Sequence, residues 1–146
     1  MVKKMRKGFT LVELLIVIVI IGILAAALLL SSGSATDSAE ASTIVSDLRS
    51  LASATMMWYG DNIDDTNIPD IASVAAYAAN SAKYATGYVL VAATNADGWL
   101  VGNEAVTDKA GVRNKLRDRA SAVGLFGSDD GTTVYSNQGE VYMFAR

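Results

Sequence analysis

The sequence predicts an α+β protein in which a long N-terminal helix, membrane-spanning and then amphipathic, packs on a small antiparallel sheet. Three observations lead there. Phe9 to Leu30 is a 22-residue run with 19 apolar positions, only Thr10, Glu13 and Gly22 falling outside the apolar set. Residues 37–59 then repeat apolar side chains at helical spacing. Beyond Gly60, short β-branched and aromatic runs are separated by Asn, Asp and Gly turns. The 146 residues leave room for one domain and an appendage. The apolar share of 51% is not evenly spread; outside the run roughly 45% remains, an ordinary globular figure. This excludes a fully soluble cytosolic protein and a polytopic membrane protein.

The chain opens on MVKKMRKG, with four cations at Lys3, Lys4, Arg6 and Lys7. The apolar run follows at once. As a helix it would span roughly 33 Å, enough for a hydrocarbon core of about 30 Å. The cations hold its start in the cytoplasm and place the rest of the chain outside. A secretory signal cleaved after Ala25-Ala26-Ala27 is the plain alternative. Two features argue for a retained anchor instead. The run is longer than the apolar core of a signal peptide. It also carries Glu13, and a carboxylate in a membrane segment costs a few kcal/mol and marks a function.

The stretch Lys7-Gly8-Phe9-Thr10-Leu11-Val12-Glu13-Leu14-Leu15-Ile16-Val17 resembles the processing and methylation motif of type IV pilins and pseudopilins. The resemblance implies a pilin-like fold and a division of the chain. Residues 1–8 are a leader peptide, 9–30 the transmembrane and assembly helix, 31–60 its amphipathic half, and 61–146 a globular head. It implies a prepilin peptidase cutting between Gly8 and Phe9 on the cytoplasmic side, then N-methylating Phe9. The new amine of Phe9 and the carboxylate of Glu13 then stand at i and i+4 of one helix. In a bundle, the amine of one subunit could meet Glu13 of its neighbour, and such a buried pair sets register more than it adds stability. The counterpart of Gly22 lies where the family's helix loosens in filaments. Most of these pilins carry a proline near the end of the membrane segment. Here Leu30 stands there, and Pro69 is the only proline. A more continuous helix is implied, bent at Gly22 or near Gly33.

The implied function is that of a structural subunit of a type IV pilus-like filament, polymerised through its N-terminal helix. Its implied partners are further copies of itself, the prepilin peptidase and the assembly machinery. Its implied location is the inner membrane as a single-pass precursor, and a cell-surface or periplasmic filament after assembly. Within the family the alternative is a pseudopilin of a type II secretion system. Outside it, the alternative is a membrane-anchored binding module or periplasmic enzyme.

After the small, polar Ser31–Thr36, the residues Ile44, Val45, Leu48, Leu51, Ala52, Thr55 and Trp58 fall close to one stripe, with Asp37, Glu40, Asp47 and Arg49 mostly elsewhere. The helix should end near Gly60-Asp61-Asn62 in a left-handed cap. The total is one helix of about fifty residues, roughly 75 Å long, unless it breaks at Ser31–Ser34. In the head, Pro69-Asp70 reads as a helix start with Asp70 as N-cap and Ile71, Val74, Ala75, Ala78 and Ala82 on one face. Tyr88–Thr94 reads as a strand, Asn95–Gly98 as a turn and Trp99–Gly102 as the return strand. Thr107-Asp108 starts a helix carrying Val112, Leu116, Ala120 and Val123, closed by Gly124. Thr132–Ser136 and Glu140–Ala145 read as a final hairpin, giving four short strands. Trp58, Trp99 and Tyr142 are assigned to the core.

Chemistry is narrow. With no Cys and no His, the chain has no disulfide, no thiolate metal site, no cysteine nucleophile and no imidazole base, and no cofactor or enzyme activity is expected. Gly127-Ser128-Asp129 lacks the surroundings of a nucleophile elbow. The acidic loop Asp61, Asn62, Asp64, Asp65, Asn67 and Asp70 has a calcium-like composition. It has no closing glutamate or required glycine, so it is read as a solvated turn; Asp129-Asp130-Gly131 is a second acidic turn. Without the four leading cations, 8 basic residues face 15 acidic ones, a net charge of -7, which disfavours nucleic-acid binding. The cluster Arg113, Lys115, Arg117 and Arg119 spreads around its helix and is read as a solvated face, with an intersubunit charge surface or a DNA contact in a DNA-uptake or adhesion subunit as the alternatives.

Overall fold

The computed structural model describes residues 8–63, 67–94 and 97–146, apart from the side chains of 30–32. Helix α1 runs from Leu11 to Asp61, 51 residues without interruption. Its backbone is helical through Gly22, Gly33 and the Ser31–Ser34 segment, so no break separates the two halves. Nothing in this stretch removes an N–H from the ladder, because the single proline lies beyond the helix. The chain divides into two units, residues 1–36 and 37–146.

In the first unit α1 is apolar on every face. Its large apolar side chains from Leu11 to Leu29 are 50–81% exposed. A helix apolar all round is at home only in lipid or among other helices.

In the second unit the stripe on α1 is buried as its spacing predicts. Ala41, Ile44, Val45, Leu48, Leu51 and Trp58 lie in the core. Thr55, also buried, satisfies its hydroxyl by donating to the Leu51 carbonyl at 2.8 Å. The stripe also holds a residue that composition places elsewhere: Asp47 is buried between Ile44, Leu48 and Leu51. Its two oxygens are both occupied. Oδ1 accepts from Lys83 Nζ at 2.5 Å and Oδ2 from the Tyr88 hydroxyl at 2.7 Å. A buried carboxylate survives only when so paired.

Burial, and then the bond to Asp47, pushes the Tyr88 phenol above its ordinary value of 10.0. A raised folded-state value gives a contribution that is complete below pH 10 and is lost as pH rises towards that value. Stability should therefore fall above about pH 10. Tyr88→Phe should cost roughly 1 kcal/mol at neutral pH and flatten the alkaline decline. Urea midpoints between pH 8 and 12 measure both; an unchanged alkaline slope in the variant would refute the assignment.

The end of α1 departs from expectation. No residue from Gly60 to Asn62 has positive φ. Instead, the N–H of Asn62 donates to the Trp58 carbonyl at 3.0 Å, and its side-chain Nδ2 donates to the same oxygen at 2.8 Å. The amide side chain does the capping that a left-handed glycine would have done.

The expected helix after Pro69 is short. Helix α2 covers Ile71–Ala75, and a 3-10 turn covers Ser81–Tyr84. Asp70 occupies the N-cap position without a side-chain capping bond. Continuing the helix would bury little, whereas the turn delivers Lys83 to Asp47 and Tyr84 to the core; tertiary contacts override alanine propensity here.

Strands β1 (Tyr88–Ala92), β2 (Trp99–Asn103) and β3 (Val141–Phe144) form one antiparallel sheet in the order β1-β2-β3. Tyr88 pairs with Asn103, and Leu100 with Phe144. The turn residues Asn95 and Ala96 lie outside the described residues. Central β2 is buried throughout. Gly102 on it is required by close approach, since a Cβ there would lie 2.6 Å from the Tyr142 ring.

The expected fourth strand is absent, and β3 pairs with β2 rather than with residues 132–136. That segment touches Phe126 only at Val134, in an isolated bridge. Its backbone is already committed. The N–H groups of Thr132 and Thr133 donate to Asp130, and that of Tyr135 to the Leu125 carbonyl. The open edge of β2 takes residues 141–144 instead.

Helix α3 covers Ala110–Val123, starting three residues after Thr107. Thr107 is held outside it by bonds to Glu104 and from the Arg113 guanidinium. Val112, Leu116 and Ala120 are buried, and Gly124 closes the helix in the left-handed conformation at φ 73°. Trp58, Trp99 and Tyr142 all lie in the core.

Candidate assembly site

The start of α1 is built by a reciprocal cap. Thr10 precedes the first helical residue, Leu11, and Glu13 stands three positions on. The Thr10 N–H donates to Glu13 Oε2 at 2.8 Å, and the Thr10 hydroxyl donates to the same oxygen at 2.7 Å. In return the Glu13 N–H donates to Thr10 Oγ1 at 3.3 Å. This is a capping box, in which threonine and glutamate satisfy each other's free backbone donors. The negative charge also sits where the helix dipole is positive. Oε1 of Glu13 makes no hydrogen bond among the described residues, so one lone-pair face of the carboxylate is open to a further donor.

Gly8 and Phe9 lie ahead of the helix, outside regular secondary structure. Phe9 is 92% exposed, and a Cβ built at Gly8 would meet nothing within 4 Å. Among the described residues nothing covers the Gly8–Phe9 peptide. The helical i, i+4 relation between Phe9 and Glu13 is not formed in the uncleaved chain, because Phe9 precedes the first turn. Thr10 is the residue that sequence reasoning missed, although Thr-x-x-Glu before an apolar run is itself a recognisable cap signature. Gly22 lies about two and a half turns further on, with open space around it, and is not brought to the cap. Residues 1–7 of the expected leader lie outside the described residues.

Several of the other sequence candidates are engaged by the protein itself. Among the cluster on α3, Arg113 donates to the Thr107 carbonyl, Arg117 pairs with Asp118 at 2.9 Å, and Arg119 donates to Ser42 Oγ at 2.7 Å. Lys109, just ahead of it, pairs with Glu40. Asp130 gathers the Ser128 hydroxyl and both donors of Thr132; the Ser128 bond first, then those of Thr132, hold its carboxyl well below the usual range. Asp64 and Asp65 of the first acidic loop lie outside the described residues. Among the described residues no group of three or more acidic side chains could hold a metal ion.

No curated protein and no solved structure matches the chain. Residues 3–29 match the family model described as the prokaryotic N-terminal methylation motif. The matched span contains the cap residues Thr10 and Glu13 and ends at Leu29, the last of the exposed apolar side chains of the first unit. The chain therefore carries, at its N-terminus, the hallmark of type IV pilin and pseudopilin precursors.

Proposed function

We propose that this chain is the precursor of a structural subunit of a type IV pilus-like filament. The observation that carries the reading is the methylation motif over residues 3–29, coincident with a helix start at which one Glu13 carboxylate oxygen has no hydrogen bond among the described residues. In this reading a prepilin peptidase cleaves between Gly8 and Phe9 and methylates the new amine. The subunit waits in the inner membrane with its head outside the cytoplasm. During assembly the Phe9 amine of one subunit meets Oε1 of Glu13 on its neighbour. Thr10 holds the carboxylate in place for that contact through Oε2.

Energetically, the same apolar helix is accommodated by lipid before assembly and by other copies after it. Each apolar Å² kept from water is worth about 25 cal/mol in either setting, so transfer between them is near neutral. The charge pair then supplies direction rather than bulk adhesion.

Mass spectrometry of the protein purified from cell envelopes tests the reading. The expected mature chain begins at Phe9, contains 138 residues (146 - 8), and is heavier by one methyl group. A chain beginning after Ala27 would refute the proposal, since the assembly helix would then be lost.

A further inference from the structure

Helix α3 does not supply its own first turn with a cap. Lys109 at the N-cap position makes no side-chain capping bond, and no acidic residue stands in the first turn. The hydrogen-bond ladder starts with the Arg113 N–H donating to the Lys109 carbonyl at 2.9 Å. The N–H groups of Ala110, Gly111 and Val112 are therefore left without a ladder partner. The positive end of the helix dipole is also unanswered by any residue of α3.

An anion reaches this point from α1. A Cβ built at Gly111 would lie 2.6 Å from Cγ of Asp37 and 3.0 Å from its Oδ1, with Oδ2 closer still. The Asp37 carboxylate thus occupies the space that a side chain at position 111 would fill. Gly111 is not among the positive-φ glycines, so close approach, not backbone conformation, is what asks for glycine here. A helical Cβ points towards the N-terminus, which puts the carboxylate on the N-terminal side of the first turn. Asp37 makes no ion pair among the described residues. Glu40 stands three residues on, on the same face of α1, and it pairs with Lys109. Both carboxylates lie in the second unit, which begins at residue 37. The buried stripe of α1 begins after them, at Ala41.

We propose that Asp37 is the cap of α3 supplied from α1, that Gly111 is its seat, and that with the Glu40–Lys109 pair it forms a clasp between the two helices. The clasp closes on the first turn of α1 in the second unit. A pull along α1 from residues 9–36 reaches the second unit at that turn, ahead of the apolar core. When open, the clasp lets the start of α3 fray and the two helices move against each other, while Ile44 to Trp58 stay packed. The proposal does not depend on the filament reading.

Amide hydrogen exchange in the full chain in detergent micelles at neutral pH tests the cap. Asp37→Asn keeps the size and removes the charge, and should speed exchange at the amides of 113–115 by about threefold. Unchanged exchange there overturns the cap. The seat is tested by a double-mutant cycle. Gly111→Ala in the native background should change exchange little, because the better helix former also evicts the carboxylate. The same change in an Asp37→Ala background should slow exchange by about threefold, since only the helix propensity of alanine remains. An equal effect in both backgrounds overturns the seat. The chain has no cysteine, so introduced pairs report without background. Asp37→Cys with Gly111→Cys should form an intramolecular disulfide on oxidation, and failure to do so also overturns the seat. Spin labels at Ala39→Cys and Asp118→Cys, both exposed positions, test the clasp. They should give one narrow distance distribution that broadens when Asp37→Asn and Glu40→Gln are added. A distribution that stays narrow overturns the clasp.

Discussion

Glu13→Val is expected to leave the chain in the membrane and to lower filament yield by roughly a hundredfold or more. The reasoning starts at the cap. Glu13 has one oxygen held by Thr10 and the other without a hydrogen bond among the described residues, and in the proposed filament the latter accepts a neighbour's amine away from water. Removing one partner of a buried charge pair costs about 3–5 kcal/mol, because the other is left uncompensated. Each 1.4 kcal/mol is about tenfold in an equilibrium. Valine adds apolar surface, so membrane insertion is not impaired.

Two further variants separate charge from capping. Glu13→Gln keeps an acceptor for Thr10 but loses the ion pair, and should fall nearly as far. Thr10→Ala keeps the charge and loses the cap, worth about 1 kcal/mol, and should fall only about fivefold. Immunoblots of sheared filament and membrane fractions give the ratios. Wild-type filament yield from Glu13→Val would end the assignment of Glu13 to assembly.

Gly131→Ala should destabilise the head by about 2–5 kcal/mol, a large share of the 5–15 kcal/mol typical of a folded domain. Two independent costs meet at this residue. Its φ is +64°, in the left-handed region where a Cβ costs about 1–2 kcal/mol. A Cβ there would also lie 2.3 Å from Cζ of Phe144, and overpacking of this kind costs about 1–3 kcal/mol. Moving Phe144 aside would disturb its edge-on stack against Phe126, whose ring centroid lies 5.3 Å away.

Gly131→Asn recovers only the backbone part of the loss, since asparagine tolerates the conformation but keeps the Cβ. Phe144→Leu, added to Gly131→Ala, should recover the steric part and show coupling between the two sites. Denaturation followed through Trp58 and Trp99, both buried in the native head, reports the midpoint. A Gly131→Ala midpoint equal to wild type would show that the turn relaxes freely.

The two halves of α1 illustrate how far periodicity reaches. The stripe Ile44, Val45, Leu48, Leu51, Thr55 and Trp58 can be read directly, because a 3.6-residue repeat maps one face onto the core. Asp47 cannot. Its type argues for solvent, and only Lys83 and Tyr88, 36 and 41 residues away, make its burial tolerable. The strands show the same limit. Tyr88–Ala92 and Trp99–Asn103 are separated by only six residues, and both existence and pairing are legible. Proximity in sequence pairs Val141–Phe144 with residues 132–136, but the Asp130 turn takes the N–H groups of Thr132 and Thr133 and the strand pairs with β2 instead.

The sequence by itself determined the apolar segment, its single carboxylate and the face of α1 that is buried. These are local properties, set by residue type and by spacings of three or four. Tertiary structure alone decided that β3 joins β2, that Asp47 is a buried tie, and that Arg49 and Arg119 line one groove. Those depend on which distant groups satisfy one another once water is excluded, and no spacing along the chain encodes that competition.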